Sequence, residues 1–185
     1  MIVQHQTFLL SPADCGGPRA MRLLRRLDIG HAEDLSLADG FREISALYFR
    51  GKLEYARRFA RPRSGQVPVW VITPSRGIRP ATDPLNSAVL REFGAGEVHQ
   101  DDRRYRAALD ASLAQLGDGL TENDRVVFLG SIATRKYVDA LSALEERVSA
   151  PAAFRGLGNM QRGSMLRRCA LEGNELAYVA LAELV

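Results

Sequence analysis

Short apolar segments alternate along the chain with segments whose apolar residues recur at helical spacing. Segments 67–73 and 125–129 are β-branched and almost wholly apolar, which is typical of central strands covered on both faces. Three further apolar segments bring the predicted strands to about five: 7–10, 148–154 and 176–181. The predicted helices lie between them: 19–27, about 37–59, 87–93, 105–116, 134–146 and 160–171. This alternation predicts a single three-layer α/β domain over residues 1–185, with a mostly parallel central sheet and helices on both faces.

Three of the predicted strands end in small polar turns. These turns are Ser11-Pro12-Ala13, Ser75-Arg76-Gly77 and Gly130-Ser131. Ligands of parallel sheets bind beyond the carboxyl ends of the strands, which lie at one edge. We therefore expect these turns to converge and to form the functional surface.

Composition narrows the class of protein. The chain has 185 residues, of which 46% are hydrophobic and 25% charged, as in an ordinary globular domain. No apolar run approaches the roughly 20 residues of a membrane span, and residues 1–10 lack the pattern of a secretory signal. With only two cysteines, the simplest prediction is a cytoplasmic protein with reduced thiols and no membrane partner.

Charge adds a modest indication. The net charge is +3, and the chain has 23 arginines but only two lysines, Lys52 and Lys136. Such a small excess differs from the strong basic bias of proteins that wrap duplex DNA. The three histidines are isolated, and no dinucleotide or Walker fingerprint occurs, so we expect no metal and no cofactor.

The turn after the first strand offers Ser11 as a phosphate contact and Asp14 as a base that activates water. A tight turn that needs Gly16 and Gly17 for its geometry would explain the same residues. Cys15 follows the turn, but no histidine is spaced to pair with it, which favours an incidental thiol.

The second turn carries Ser75, Arg76 and Arg79, a plausible clamp for a phosphate or carboxylate, or else simply solvated side chains. Asp83 is either a general base or a turn former. In the third turn, Ser131 is a candidate catalytic group, although it or Thr134 could merely cap the next helix.

The helix after the third turn and the last long helix supply further candidates. Lys136 is a candidate phosphate contact, and Tyr137 could stack on a base or belong to the core. Arg162 and Arg167 flank Gly163, whose presence in a helical pattern indicates a break or a close approach. A phosphate-contacting element fits this stretch about as well as a solvated helix face.

Five short motifs in the same order resemble the YaaA family of peroxide-stress proteins and their shorter relatives. The strand end 10–13 (LSPA) resembles the family's "ISPAK", and 47–52 (LYFRGK) is similar to "LYxGD". Segment 75–80 resembles "YGxLRP". The remaining two matches are 129–131 with 136–137, similar to "NLAS…EY", and 162–167, similar to "ARGxMxR". Asp14 stands where the family has Lys and Lys52 where it has Asp, so an exchanged ion pair is expected if the two positions face each other.

The resemblance implies an α/β fold distantly like that of uracil-DNA glycosylases, and nucleic-acid binding linked to DNA damage or oxidative stress. It transfers no catalytic mechanism. The first hypothesis is therefore a nucleic-acid- or nucleobase-binding protein in which Tyr48 or Tyr137 stacks a base. The phosphate contacts would come from Arg76, Arg79, Lys136, Arg162 and Arg167, with Lys52 beside them.

Two other classes stay open. One is an enzyme acting on a nucleotide or phosphosugar, such as an N-glycosidase-like hydrolase, in which Ser11 and Ser131 hold the phosphate and Asp14 or Asp83 activates water. The other is an interaction module without chemistry, which predicts that the turns do not converge.

Overall fold

A computed structural model describes residues 4–30, 35–45, 47–96, 98–133 and 135–184. Its sheet has six strands: β1 His5–Leu10, β2 Val69–Ile72, β3 Ile78–Pro80, β4 Asp124–Leu129, β5 Val148–Pro151 and β6 Tyr178–Ala180. Their order across the sheet is β3-β2-β1-β4-β5-β6. The predicted α/β class is confirmed.

The sheet is mixed, which corrects the prediction of a mostly parallel sheet of about five strands. β2, β1, β4 and β5 are parallel, whereas β3 and β6 pair antiparallel at the two edges. The prolines around 78–84 predicted a loop there, but Pro80 lies opposite Trp70 on an edge strand, where a missing N–H is tolerated. Pro151 predicted that β5 lies near an edge of the sheet. β5 is in fact next to the edge strand β6, with which it pairs.

Seven helices surround the sheet in the described part of the chain: α1 Pro18–Asp28, α2 Leu37–Ile44, α3 Leu47–Phe59, α4 Ser87–Ala95, α5 Arg103–Asp118, α6 Arg135–Leu141 and α7 Asn159–Glu172. The single long helix predicted over 37–59 is in fact α2 and α3. The chain is extended at Ser45, which ends α2. The helix predicted over 134–146 is α6 followed by a 3₁₀ helix, Ser142–Arg147. Among the described residues no helix is both long and apolar enough to cross a membrane.

Helices cover both faces of the sheet. Successive residues of a strand point to opposite faces, so neighbouring residues of β1 contact different helices. On one face the Phe8 ring packs against Tyr55 of α3, with ring centroids 5.9 Å apart. On the other face Thr7 and Ser112 of α5 line a common cavity. The central strands β1 and β4 are buried between these layers, as their apolar sequences predict.

The strand order reverses beside β1. The chain places β2 on one side of β1 and then crosses to place β4 on the other. The crevice beyond the carboxyl ends of β1 and β4 is thus the topological switch point, where open α/β sheets bind their ligands.

Candidate functional site

Two of the predicted polar turns meet at the switch point. Ser11 directly follows β1, and its backbone N–H donates to the carbonyl of Leu129, the last residue of β4, over 3.1 Å. Ser11 is buried, and Ser131 is half-buried just beyond β4. The convergence expected for these two turns is therefore present.

Lys52 of α3 reaches into the same place. Its side chain is 1% exposed, and its Nζ donates to the Ser11 carbonyl oxygen over 2.6 Å and to Ser11 Oγ over 2.8 Å. The Nζ atom also lies 4.6 Å from the centre of the Tyr48 ring and 4.9 Å from that of Phe49. The lysine that the sequence offered as a binding residue is thus part of the interior.

The surroundings of Lys52 favour its neutral form. Burial lowers the pKa of the Lys52 amine well below its usual 10.5, because the ammonium ion loses its water. Among the described residues no carboxylate pairs with it. The expected ion pair with Asp14 is absent from this part of the chain, since Asp14 Oδ1 instead accepts the Gly16 N–H of its own turn over 3.1 Å.

Arg162 of α7 lies beside Tyr48 and is also buried. Its Nη2 donates to the Phe154 carbonyl over 3.1 Å, and its guanidinium stands 5.3 Å from the centre of the Phe154 ring. Burial raises the pKa of the Tyr48 phenol to about 12, against the opposing effect of the Arg162 charge. Tyr48 Oη and Arg162 Nε lack geometrically satisfactory hydrogen bonds. We call Ser11, Tyr48, Lys52 and Arg162 the lysine cluster.

The close crossing of α3 and α7 positions this cluster. A Cβ on Gly163 would lie 2.7 Å from Tyr48 Cα, and one on Gly51 would lie 2.4 Å from the Gly163 carbonyl oxygen. The two backbones therefore touch directly, which only glycine permits at such a distance. This contact explains the glycine that seemed out of place in α7, and it sets Tyr48 against Arg162.

The third turn leads to Lys136 and Tyr137 on α6. Tyr137 is 5% exposed and packs against Phe128, with ring centroids 5.6 Å apart, so its face is not open to a base. Burial, and secondarily the nearby Tyr105 and Tyr48, raise the pKa of its phenol. Lys136 Nζ is 5.1 Å from the centre of the Tyr137 ring. The alternative cap Thr134 lies outside the described residues.

The second turn does not join the lysine cluster. Arg76 and Ser75 both bind Glu92 of α4, the Ser75 hydroxyl over 2.6 Å. Arg79 Nε donates to Asp83 over 2.7 Å. The arginines of the predicted phosphate clamp are therefore already paired with carboxylates of the chain itself. The candidate base Asp83 is one of these carboxylates.

Arg167 does not join the lysine cluster; it is exposed and pairs with Glu54 over 2.9 Å. It lines a cleft of about 600 Å³ between α1, α2, α3 and α7. Five arginines line this cleft with one glutamate, one leucine and one methionine: Arg19, Arg22, Arg26, Arg50, Arg167, Glu43, Leu47 and Met160. We call it the arginine cleft. Motif reasoning identified only Arg167, because Arg19, Arg22 and Arg26 lie on α1 outside any motif, and Arg50 falls between the matching residues of the 47–52 motif.

Cys15 is buried against the turn in which it lies. Its Sγ contacts the Ala13 carbonyl at 3.6 Å. Burial, and secondarily the charge of Asp14, raise the pKa of the Cys15 thiol to about 12. A thiol in this environment is a poor nucleophile.

No match to the chain emerges among protein-family models, curated proteins or solved structures. The described residues contain no group of three or more His, Cys, Asp or Glu side chains arranged to hold a metal ion. The interpretation of the site consequently depends on its own geometry and charge.

Proposed function

We propose that this chain is a nucleic-acid-binding protein and that the arginine cleft contacts the phosphate backbone. The observation that carries the proposal is the concentration of five arginines on one concave surface with a single lining carboxylate. Phosphate contacts by arginine supply most of the sequence-independent affinity of such proteins. The resemblance to YaaA-family motifs agrees with this function.

The free charge of the cleft is smaller than five. Arg26 pairs with Glu43 and Arg167 with Glu54. Within the part of the chain that the structure describes, Arg19 and Arg50 donate only to backbone carbonyls, those of Ser45 and Arg42. Arg22 is exposed and has no partner within the described residues. Three positive charges thus remain without a carboxylate partner and are available to phosphates.

This charge count sets a measurable expectation. Neutralising three phosphates gives a slope of log affinity against log salt of about −2.7 for duplex DNA and about −2.1 for a single strand. Fluorescence anisotropy of a labelled oligonucleotide, as single strand and as duplex, measures this slope between about 50 and 200 mM salt. Arg22→Gln should weaken binding to all sequences similarly and reduce the slope by about 1.

A matched control lies on the same helix. Arg25 is exposed on α1 but does not line the cleft, so Arg25→Gln removes the same charge from a different surface and should change the slope much less. Absence of binding at low salt, or equal effects of Arg22→Gln and Arg25→Gln, would contradict the proposal.

The enzyme alternative has weaker support in the arrangement of the residues. Asp14 accepts the N–H of its own turn, and Asp83 is paired with Arg79, so both candidate bases are engaged. The lysine cluster is buried rather than open to a substrate. We therefore favour binding over hydrolysis.

A further inference from the structure

A second cavity lies on the opposite face of the sheet, between α5 and the strands β1, β2 and β3. It has a volume of about 460 Å³, within the usual range of small-molecule sites. None of the residues that line it lines the arginine cleft. Its walls include Thr7, Trp70, Ile78, Gln115, Leu116 and Leu120.

The walls of this cavity are mainly apolar and include one aromatic ring. Trp70 is half-buried, and Ile78, Leu116 and Leu120 lie around it. An indole ring in the wall of a mainly apolar cavity favours stacking with another flat ring. The chemistry of the walls therefore favours a planar ligand.

Three polar groups of the wall have no partner within the described residues. Thr7 is 3% exposed, and its hydroxyl oxygen makes no hydrogen bond. The Trp70 indole N–H and the Gln115 amide also lack one. By contrast, the Ser112 hydroxyl is engaged, because it accepts the Ile78 N–H over 2.9 Å and donates to the Leu109 carbonyl over 3.0 Å. A buried hydroxyl without a partner is unfavourable unless a ligand supplies one.

The described residues that line the cavity carry no free charge. Arg79 is the one charged residue among them, and it is paired with Asp83 over 2.7 Å. A charged ligand would lose its hydration here without gaining an opposite charge. The cavity therefore suits a neutral ligand.

We propose that this cavity, the Trp70 cavity, binds an uncharged aromatic heterocycle of nucleobase or nucleoside size. The ring stacks on the indole of Trp70. Its donors and acceptors bind the Gln115 amide and the indole N–H. The Thr7 hydroxyl, which has almost no accessible surface in the free protein, reaches the ligand by rotation about the Cα–Cβ bond of Thr7. This site is independent of the arginine cleft, so either proposal can fail without the other.

The chain provides its own reporter, because Trp70 is its only tryptophan. Titration of the full chain with adenosine, guanosine, cytidine and uridine should give saturable quenching of its fluorescence by at least one nucleoside. Thr7→Val should weaken that nucleoside's binding about tenfold, the effect of one hydrogen bond. Thr7→Val should also raise the melting temperature of the free protein by roughly 2–4 °C, because it removes an unpartnered hydroxyl without changing the volume.

Two further variants keep the test decisive. Gln115→Ala, at an exposed position of α5, should also weaken binding even if Thr7→Val disturbs folding. Thr82→Val makes the same chemical change in an exposed loop outside the cavity and should leave affinity unchanged. Ribose alone should not quench.

Three results would overturn the proposal: no saturable quenching by any nucleoside, an affinity unchanged in both Thr7→Val and Gln115→Ala, or much tighter binding of the 5′-monophosphate than of the nucleoside. Loss of nucleoside binding in Arg22→Gln would also overturn it, since that result would place the ligand in the arginine cleft. Failure of oligonucleotide binding would leave this proposal standing.

Discussion

Replacing Lys52 by methionine is expected to change how the stability of the fold depends on pH. The folded pKa of the Lys52 amine lies well below 10.5 because burial removes its water, whereas the unfolded chain restores the ordinary value. Between these two pKa values the unfolded chain binds one more proton than the folded chain. The free energy of unfolding of the wild type therefore rises with pH across that window. The destabilisation that results from burying the amine is complete below the folded pKa and disappears above 10.5.

The size of the effect follows from proton linkage. One unit of pKa corresponds to about 1.4 kcal/mol, so the stability of the wild type relative to Lys52→Met should rise by up to about 1.4 kcal/mol for each pH unit in the window. With a urea dependence of about 2 kcal/mol per molar, the unfolding midpoints should shift relative to each other by about 0.7 M per pH unit. Methionine leaves the Ser11 oxygens without the Lys52 donor, which changes the absolute stability. Because methionine does not titrate, this loss does not change how stability depends on pH.

Urea unfolding followed by Trp70 fluorescence at several pH values from about 7 to 10 measures this difference. In the folded protein Tyr48 faces Lys52 but does not titrate in this range, because burial raises its pKa to about 12. In the unfolded chain Tyr48 titrates alike in the wild type and in Lys52→Met, so it cancels in the comparison. Lys136→Met removes the chain's other lysine, at a half-buried position, and is the matched control. A difference between wild type and Lys52→Met that stays constant with pH would refute the reasoning, since Lys52 would then titrate alike in both states.

Two further predictions test the packing around the site. Gly163→Ala should lower the free energy of unfolding, measured in urea, by roughly 1–3 kcal/mol. The new Cβ would meet the Tyr48 backbone at 2.7 Å, and this clash is relieved only if α7 moves away from α3. Gly117→Ala is the control, since its Cβ would meet only the end of the Leu144 side chain at 3.3 Å; equal effects of the two would argue against the close crossing. In a Cys169→Ser background, the buried Cys15 thiol, with its pKa raised to about 12, should react with a thiol reagent near pH 8 only after unfolding. Immediate reaction of the folded protein would contradict that environment.

The parts of the fold that follow from local pattern could be predicted from the sequence. The apolar segments around Phe8 and Val127 are the central strands β1 and β4, and their parallel pairing brings Ser11 and Ser131 to one edge. The apolar pattern could not separate α2 from α3, because both helices turn their apolar residues to the same core. It also missed β3, because the local effect of Pro80 gave no sign of the pairing with Trp70.

The partners of charged side chains were the least predictable part of the site. Arg76 reads as a free phosphate contact beside a strand end, yet the structure brings Glu92 of α4 to it. Arg61 similarly binds Glu175, 114 residues later, over 2.8 Å. Such pairs depend on how helices pack across the sheet, and helical periodicity carries no information about that packing. For the same reason the arginine cleft could not be predicted, because it combines residues from α1, α2, α3 and α7.

Lys52 and Thr7 are the two positions where local and global preferences conflict most clearly. An apolar residue would fill the place of Lys52 without dehydrating an amine, and valine would fill that of Thr7 without an unpartnered hydroxyl. Conflicts of this kind are expected at functional sites, where a group is kept for what it binds rather than for stability. One of the two lies at the switch point of the sheet and the other on the wall of the Trp70 cavity. The stability measurements on Lys52→Met and Thr7→Val therefore bear on function as well, because each compares the residue that is present with one that would suit the fold better.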